Sequence, residues 1–186
     1  MKTKLVLAAL LAGMMLFTAC ENAQKTGADV AIKGAQTAYA AVADQANQYV
    51  PDQTKDVQTA IQSAKDAYDK GDYAAAFEAS KALPDKVKAL AAAALAKKDE
   101  LTAKWKDLSG SLPEMVTTVQ TKVDALTKSH KVPAGAADTL ASIKQTWTDA
   151  STAFTSGQIP DAVAKASAAK DKLIQLETTL GIKPAA

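Results

Sequence analysis

The stretch Val57–Ala79, VQTAIQSAKDAYDKGDYAAAFEA, decides the fold of this chain. Its apolar residues recur at alternating steps of four and three, as they do on one face of an α-helix. They are Val57, Ile61, Ala64 and Tyr68. Gly71 can then adopt the left-handed conformation that ends a helix, and the carboxylate of Asp72 can cap a second helix at once. Because so short a connection makes two helices antiparallel neighbours, the stretch predicts a helical hairpin.

The same pattern returns 86 positions later, with Gly157 in the place of Gly71. The offset matches apolar residues along both helices: Val57 with Ile143, Ile61 with Trp147, Ala64 with Ala150, Tyr68 with Phe154, Tyr73 with Ile159 and Phe77 with Val163. A Val-Pro pair, at residues 50–51 and 132–133, precedes each hairpin. We interpret the pattern as a duplicated three-helix unit. The alternative is a chance match, because alanine-rich amphipathic helices resemble one another.

The segment Ser109–Glu114, SGSLPE, marks the predicted boundary between the two units. Its first serine and glycine are typical of a helix end, and the following S-x-x-E with a proline in the first turn is typical of a capping-box start. We therefore predict a first unit at residues 28–109 and a second at residues 110–183.

The composition of the chain is that of an α-helical protein. Alanine, lysine and leucine are frequent, glycine and proline are few, and no stretch shows the sustained alternation of a β-strand. We predict an all-α fold, an antiparallel bundle of about six helices. The predicted helices lie near residues 28–50, 52–70, 73–108, 112–131, 134–156 and 160–180, with a kink or interruption at Pro84.

The amino-terminal stretch Met1–Cys20 has the pattern of a secretory signal peptide. Lys2 and Lys4 precede an apolar run, residues 5–17, that is too short to cross a bilayer, which takes about 20 residues. The ending Phe17-Thr18-Ala19-Cys20 resembles a bacterial lipobox, with Phe17 standing where that pattern usually has leucine. The alternative is ordinary secretion, in which a small-x-small triplet precedes the cleavage site.

The lipobox resemblance implies a membrane lipoprotein. Residues 1–19 would be removed, and Cys20 would carry a diacylglyceryl thioether, commonly with a further acyl group on the new amino terminus. Cys20 is the single cysteine of the chain, so it can form no intramolecular disulfide. Residues 20–27 are then predicted to be the lipidated cysteine and a short polar tether. The residue after Cys20 is Glu21 and not the aspartate that is associated with inner-membrane retention. In a source with two membranes, the resemblance therefore favours the outer membrane, on the side that faces the periplasm.

Charge and motif content exclude several functional classes. Without the two signal lysines, basic side chains balance the 20 acidic ones, and every basic residue is lysine. A neutral surface without arginine argues against nucleic-acid binding.

The turn Tyr68-x-x-Gly71-Asp72-Tyr73-x-x-Ala76 resembles a tetratricopeptide hairpin, but the two copies are much farther apart than the 34 residues of such repeats.

Chemistry-bearing residues are sparse in this sequence. His130 is the single histidine, placed on the apolar stripe near a helix end, where a structural or capping role is expected. We predict no catalytic site, no metal site and no cofactor. The expected function is a non-enzymatic binding or structural module of the cell envelope, held to the membrane through Cys20, with a possible protein partner. The alternative is a carrier or sensor that holds a small apolar or lipid ligand between helices, in a cavity beside Trp147, Phe154 or Tyr68.

Overall fold

The computed structural model describes residues 2–182, with side chains from residue 22 onward. This part of the chain consists of α-helices joined by short turns and contains no β-strand. The helices are α1 (Lys2–Tyr49), α2 (Pro51–Asp69), α3 (Tyr73–Lys81), α4 (Leu83–Lys128), α5 (Ala136–Thr155) and α6 (Ile159–Thr179). The predicted all-α helical bundle is confirmed.

The chain divides into two compact units, Met1–Leu95 and Ala96–Ala186, called unit 1 and unit 2 below. The division falls inside α4, so it differs from the division at residues 109–110 that the sequence suggested. The predicted helix end at Ser109 is wrong because α4 continues to Lys128. The hydroxyls of Ser109 and Ser111 each donate to a carbonyl three or four residues back, at 3.0 Å, instead of capping a new helix.

Burial explains why α4 continues through a glycine and through Pro113. Leu108 is 5% exposed and Leu112 is 0% exposed, so the buried stripe of the helix runs without a break across this segment. A proline inside a helix removes one backbone hydrogen bond. The packing of a continuous apolar stripe outweighs that loss, and local turn chemistry therefore mispredicts the boundary.

Unit 1 is built on the packing of α1, α2 and α3, followed by the first part of α4. Residues 22–27, predicted to be a tether, are instead the continuation of α1. Gly27 lies so close to α3 that a Cβ atom there would be 2.7 Å from Cε2 of Phe77. The ammonium of Lys25 lies 5.1 Å from the ring centroid of Tyr73. These contacts order the segment. The predicted interruption near Pro84 is present, with the break at Ala82 and Pro84 in the first turn of α4.

Unit 2 contains the rest of α4 together with α5 and α6. Its core is formed by apolar side chains from all three helices, among them Trp105, Leu112, Val119, Leu140, Ile143, Ala150, Val163, Ala166 and Leu173. The α4–α5 connection, Ser129–Gly135, is longer than the single residue Val50 that joins α1 to α2. The two Val-Pro pairs therefore differ in setting, since Pro51 begins α2 whereas Pro133 lies in the loop.

Both hairpin turns have the same backbone structure. Gly71 and Gly157 have φ angles of +83° and +79°. In each turn the glycine N–H donates to the carbonyl three residues back, and the next N–H donates to the carbonyl five residues back. This is the Schellman arrangement that ends many helices. The same pair of hydrogen bonds ends α4 at His130 and α6 at Gly181.

Burial repeats with the same offset of 86 positions. Residues buried in both copies include Thr54 and Leu140, Val57 and Ile143, Ala64 and Ala150, Ala76 and Ala162, Ser80 and Ala166, Val87 and Leu173, and Leu90 and Leu176. A chance match between two amphipathic helices does not account for the same turn structure and the same pattern of burial at one offset. The structure thus favours duplication over the alternative.

Candidate functional site

An apolar groove of about 510 Å³ lies within unit 1, between α1 and the beginning of α4. One wall consists of Val30, Ala31, Gly34, Ala35, Ala38 and Val42, and the other of Pro84, Val87, Lys88 and Ala91. Lys88 is the single charged residue among them, and its side chain is exposed. The volume falls within the range of about 300–1,000 Å³ that is typical of sites for small ligands.

Small side chains on α1 create the groove. Gly34 has no heavy atom within 4 Å of the place where its Cβ would be, and Ala38 is exposed. The alanines at 31, 35 and 38 and Gly34 are too small to fill the space against the beginning of α4, so the groove stays open.

The rim of the groove exposes two large apolar side chains. Val30 is 66% exposed, and Leu95 is 54% exposed. Leu95 follows the groove residue Ala91 by four positions on α4, so it extends the same helix face by one turn. An apolar groove continued by exposed valine and leucine is typical of a surface that contacts another molecule.

A second depression, of about 670 Å³, lies in unit 2 between the start of α5 and the end of α6. Its lining mixes apolar and polar groups and carries both signs of charge, with Asp138, Ser142, Lys172 and Gln175. Gly135 caps α5 without a side-chain hydrogen bond. The lining is thus less apolar than that of the groove in unit 1.

The aromatic residues predicted to line a ligand cavity pack on one another instead. Trp105 stacks on Trp147, with ring centroids 5.3 Å apart, and on Phe154, with centroids 4.5 Å apart. Tyr68 meets Tyr73 edge to face at 5.2 Å. None of these five rings lines either groove. Sequence spacing placed them on buried faces, but it could not show that they pair within the hydrophobic packing rather than around a cavity.

The structure describes the side chain of only one of the two residues that the sequence singles out, His130 and Cys20. His130 is exposed and occupies a left-handed position, φ +56°, just beyond α4, so it is not on the buried stripe as the sequence suggested. Cys20 lies outside the residues whose side chains are described.

Among residues 22–182 there is no group of three or more His, Cys, Asp or Glu side chains that could hold a metal ion. Within the same range, no helix combines the length and apolar character needed to cross a bilayer.

Three described groups have a raised pKa, and none of them lines the groove. Burial raises the pKa of Tyr49, which is 8% exposed at the end of α1. Hydrogen bonds to Asp29 and to Asp69 raise the pKa of Lys33 and of Lys65, respectively. Both lysines form ion pairs on the surface of a helix. These shifts have structural causes and identify no acid–base pair.

Comparison with known proteins gives no assignment: no protein-family model, no curated protein and no solved structure matches this chain. The function is therefore inferred from the sequence and from the geometry of the groove.

Proposed function

We propose that this chain is a lipid-anchored protein of a bacterial cell envelope that acts as a non-enzymatic helical binding module. Lipid on Cys20 holds it to the membrane, on the periplasmic face of the outer membrane where the source has two membranes. The groove of unit 1 receives an apolar ridge of a partner protein in the envelope. No nucleic acid and no cofactor take part.

The observation that carries the proposal is the apolar groove between α1 and α4. Its floor of alanine and glycine allows close approach of another helix, and the exposed Val30 in its wall and Leu95 beyond it enlarge the apolar contact. An amphipathic helix that binds such a groove inserts apolar side chains at steps of three and four residues. Exposed apolar area on an otherwise polar helical surface supports a binding role more directly than a catalytic one.

A photo-cross-linking amino acid at Val30, in membranes that contain the lipidated protein, tests the proposal. We expect a cross-link to one protein partner. Ala38→Leu fills the groove and should abolish the cross-link, whereas Ala40→Leu makes the same change on an exposed part of α1 that does not line the groove. A cross-link that survives Ala38→Leu as well as it survives Ala40→Leu would refute this use of the groove.

The groove also favours a second function, that of a carrier for a small apolar or lipid ligand. Its volume of about 510 Å³ and its almost wholly apolar lining suit an acyl chain. The same cross-linking experiment separates the two functions. A lipid adduct that is lost in Ala38→Leu would support the carrier, whereas a protein adduct supports the binding module.

A further inference from the structure

The turn between α2 and α3 and the beginning of α3 lie beside residues 25–27 of α1. Lys25, only three residues after the first described side chain, Asn22, has its ammonium 5.1 Å from the Tyr73 ring. Two residues later, Gly27 is in close contact with Phe77 of α3. The beginning of α3, and the turn that leads into it, therefore stand next to the end of unit 1 that is nearest to Cys20.

The distance to a lipid anchor is correspondingly short. Cys20 precedes Asn22 by two residues, which span at most about 7 Å in any conformation. The helical rise from Asn22 to Lys25 adds about 4.5 Å. The headgroup layer on one side of a bilayer is about 5–8 Å thick, and an acyl chain on Cys20 fixes that residue at its level. The Lys25 side chain and the 5.1 Å from its ammonium to the Tyr73 ring add to this length, so these spans bring Tyr73 within reach of the headgroup layer when this end of unit 1 faces the bilayer.

The side chains of this turn have the chemistry of a membrane interface. Tyr68 and Tyr73 form an edge-to-face pair of half-buried rings, and phenol rings suit a boundary that is apolar on one side and wet on the other. Lys25 and Lys70 are exposed lysines, whose length allows them to reach headgroup phosphates, and Asp69 and Asp72 beside them are exposed as well.

The second copy of the hairpin lacks this chemistry although its turn has the same backbone. Phe154 and Ile159 replace the two tyrosines, and Ser156 replaces Lys70. The amphipathic rings and the turn lysine thus occur only in the copy that follows Cys20. The common backbone requires neither of them, because the turn of unit 2 forms without them.

We propose that the α2–α3 turn of unit 1, with Tyr68, Tyr73, Lys25 and Lys70, rests in the headgroup layer of the bilayer that holds the chain. The proposal builds on the proposed lipid at Cys20 and adds a second, non-covalent contact with the same membrane. Two attachment points restrict the rotation of unit 1 relative to the bilayer, so that one of its ends always faces the lipid.

A fluorescent probe at either end of α2 tests the proposal in the full-length lipidated protein. Lys70→Cys places an environment-sensitive label at the turn, and Gln53→Cys places it on an exposed residue of the first turn of the same helix, about 26 Å away along the axis. The protein is reconstituted in vesicles of phosphatidylethanolamine and phosphatidylglycerol that carry a headgroup spin label. We expect quenching at position 70 to exceed quenching at position 53 by at least twofold.

Tyr73→Ser in the protein labelled at position 70 should lower the quenching by at least twofold, whereas Tyr73→Phe, which keeps the ring, should retain most of it. Helical circular dichroism confirms that both variants are folded. Equal, weak quenching at positions 70 and 53 on protein whose Cys20 carries lipid by mass spectrometry would overturn this inference alone. An unmodified Cys20 thiol in the mature membrane protein would overturn the proposed function instead.

Discussion

Replacing His130 with glycine is expected to stabilise the protein. Four described helices end with the same pair of backbone hydrogen bonds, and the residue in the left-handed position is glycine at 71, 157 and 181 but histidine at 130. His130 has a φ of +56° and an exposed side chain, so its replacement removes no buried contact. The left-handed conformation brings Cβ too close to the following carbonyl oxygen, and glycine has no Cβ.

The size of the effect is the difference between two terms. Relief of the left-handed conformation contributes about 1–2 kcal/mol. The greater freedom of glycine in the unfolded chain costs about 0.4–1 kcal/mol. From the central values of the two terms, the net gain in the free energy of unfolding for His130→Gly is about 0.8 kcal/mol, or about 2–3 °C in Tm for a chain of this length.

Urea unfolding followed by tryptophan fluorescence measures the change where it occurs, because Trp105 and Trp147 both lie in unit 2 with His130. The control is Gly157→Ala, which introduces a Cβ at φ +79° and should destabilise the same unit by about 1 kcal/mol. An unchanged or lower midpoint for His130→Gly, with Gly157→Ala destabilising as expected, would refute the reasoning.

Three further predictions, with four substitutions, concern packing and titration. Gly34→Ala should raise the free energy of unfolding by about 0.5–1 kcal/mol, because alanine is the better helix former and its Cβ meets no neighbour there. Gly27→Ala should lower the free energy of unfolding, because its Cβ would lie 2.7 Å from Phe77. Equal gains for the two variants in thermal unfolding would contradict this. Ser167→Ala should raise the urea midpoint by an amount that corresponds to about 1 kcal/mol, because the buried Ser167 hydroxyl has no hydrogen-bond partner; a loss of stability would indicate a partner in solution. Burial raises the pKa of Tyr49 above 10.0, so its contribution to stability is complete below pH 10 and is lost as the pH rises through the raised pKa. Above pH 10 the free energy of unfolding of Tyr49→Phe should therefore fall less steeply with pH than that of the unmodified chain. Parallel curves of the two proteins would show that Tyr49 ionises equally easily in the folded and the unfolded chain.

Local sequence chemistry predicted the hairpins because their determinants are local. Gly71 and Gly157 supply the left-handed residue, the side chain of Asp72 accepts a hydrogen bond from the N–H of Ala75 at 3.0 Å, and apolar residues at steps of three and four define the buried faces. The repeat was visible for the same reason, since paired turns lie at a fixed offset.

What the sequence could not predict depends on contacts between distant residues. The serines at 109 and 111 can cap a helix or donate back within one, and the buried stripe of α4 decides between these outcomes. Residues 22–27 are polar and look like a tether, and only the approach of Phe77 to Gly27 shows that they belong to the folded unit. The groove was missed because alanine on a helix face has the same pattern whether a neighbour covers it or not.

The continuity of α4 across residues 95–96 has a consequence for limited proteolysis. Backbone hydrogen bonds of one helix cross this boundary, so no loop is available there for a protease to bind. The longest connection between described helices, Ser129–Gly135, lies instead inside unit 2. The exposed Lys128 precedes it, and the exposed Lys131 lies within it. Trypsin should therefore cut first within unit 2, and the early fragments would keep unit 1 joined to the remainder of α4 rather than release the two units from each other.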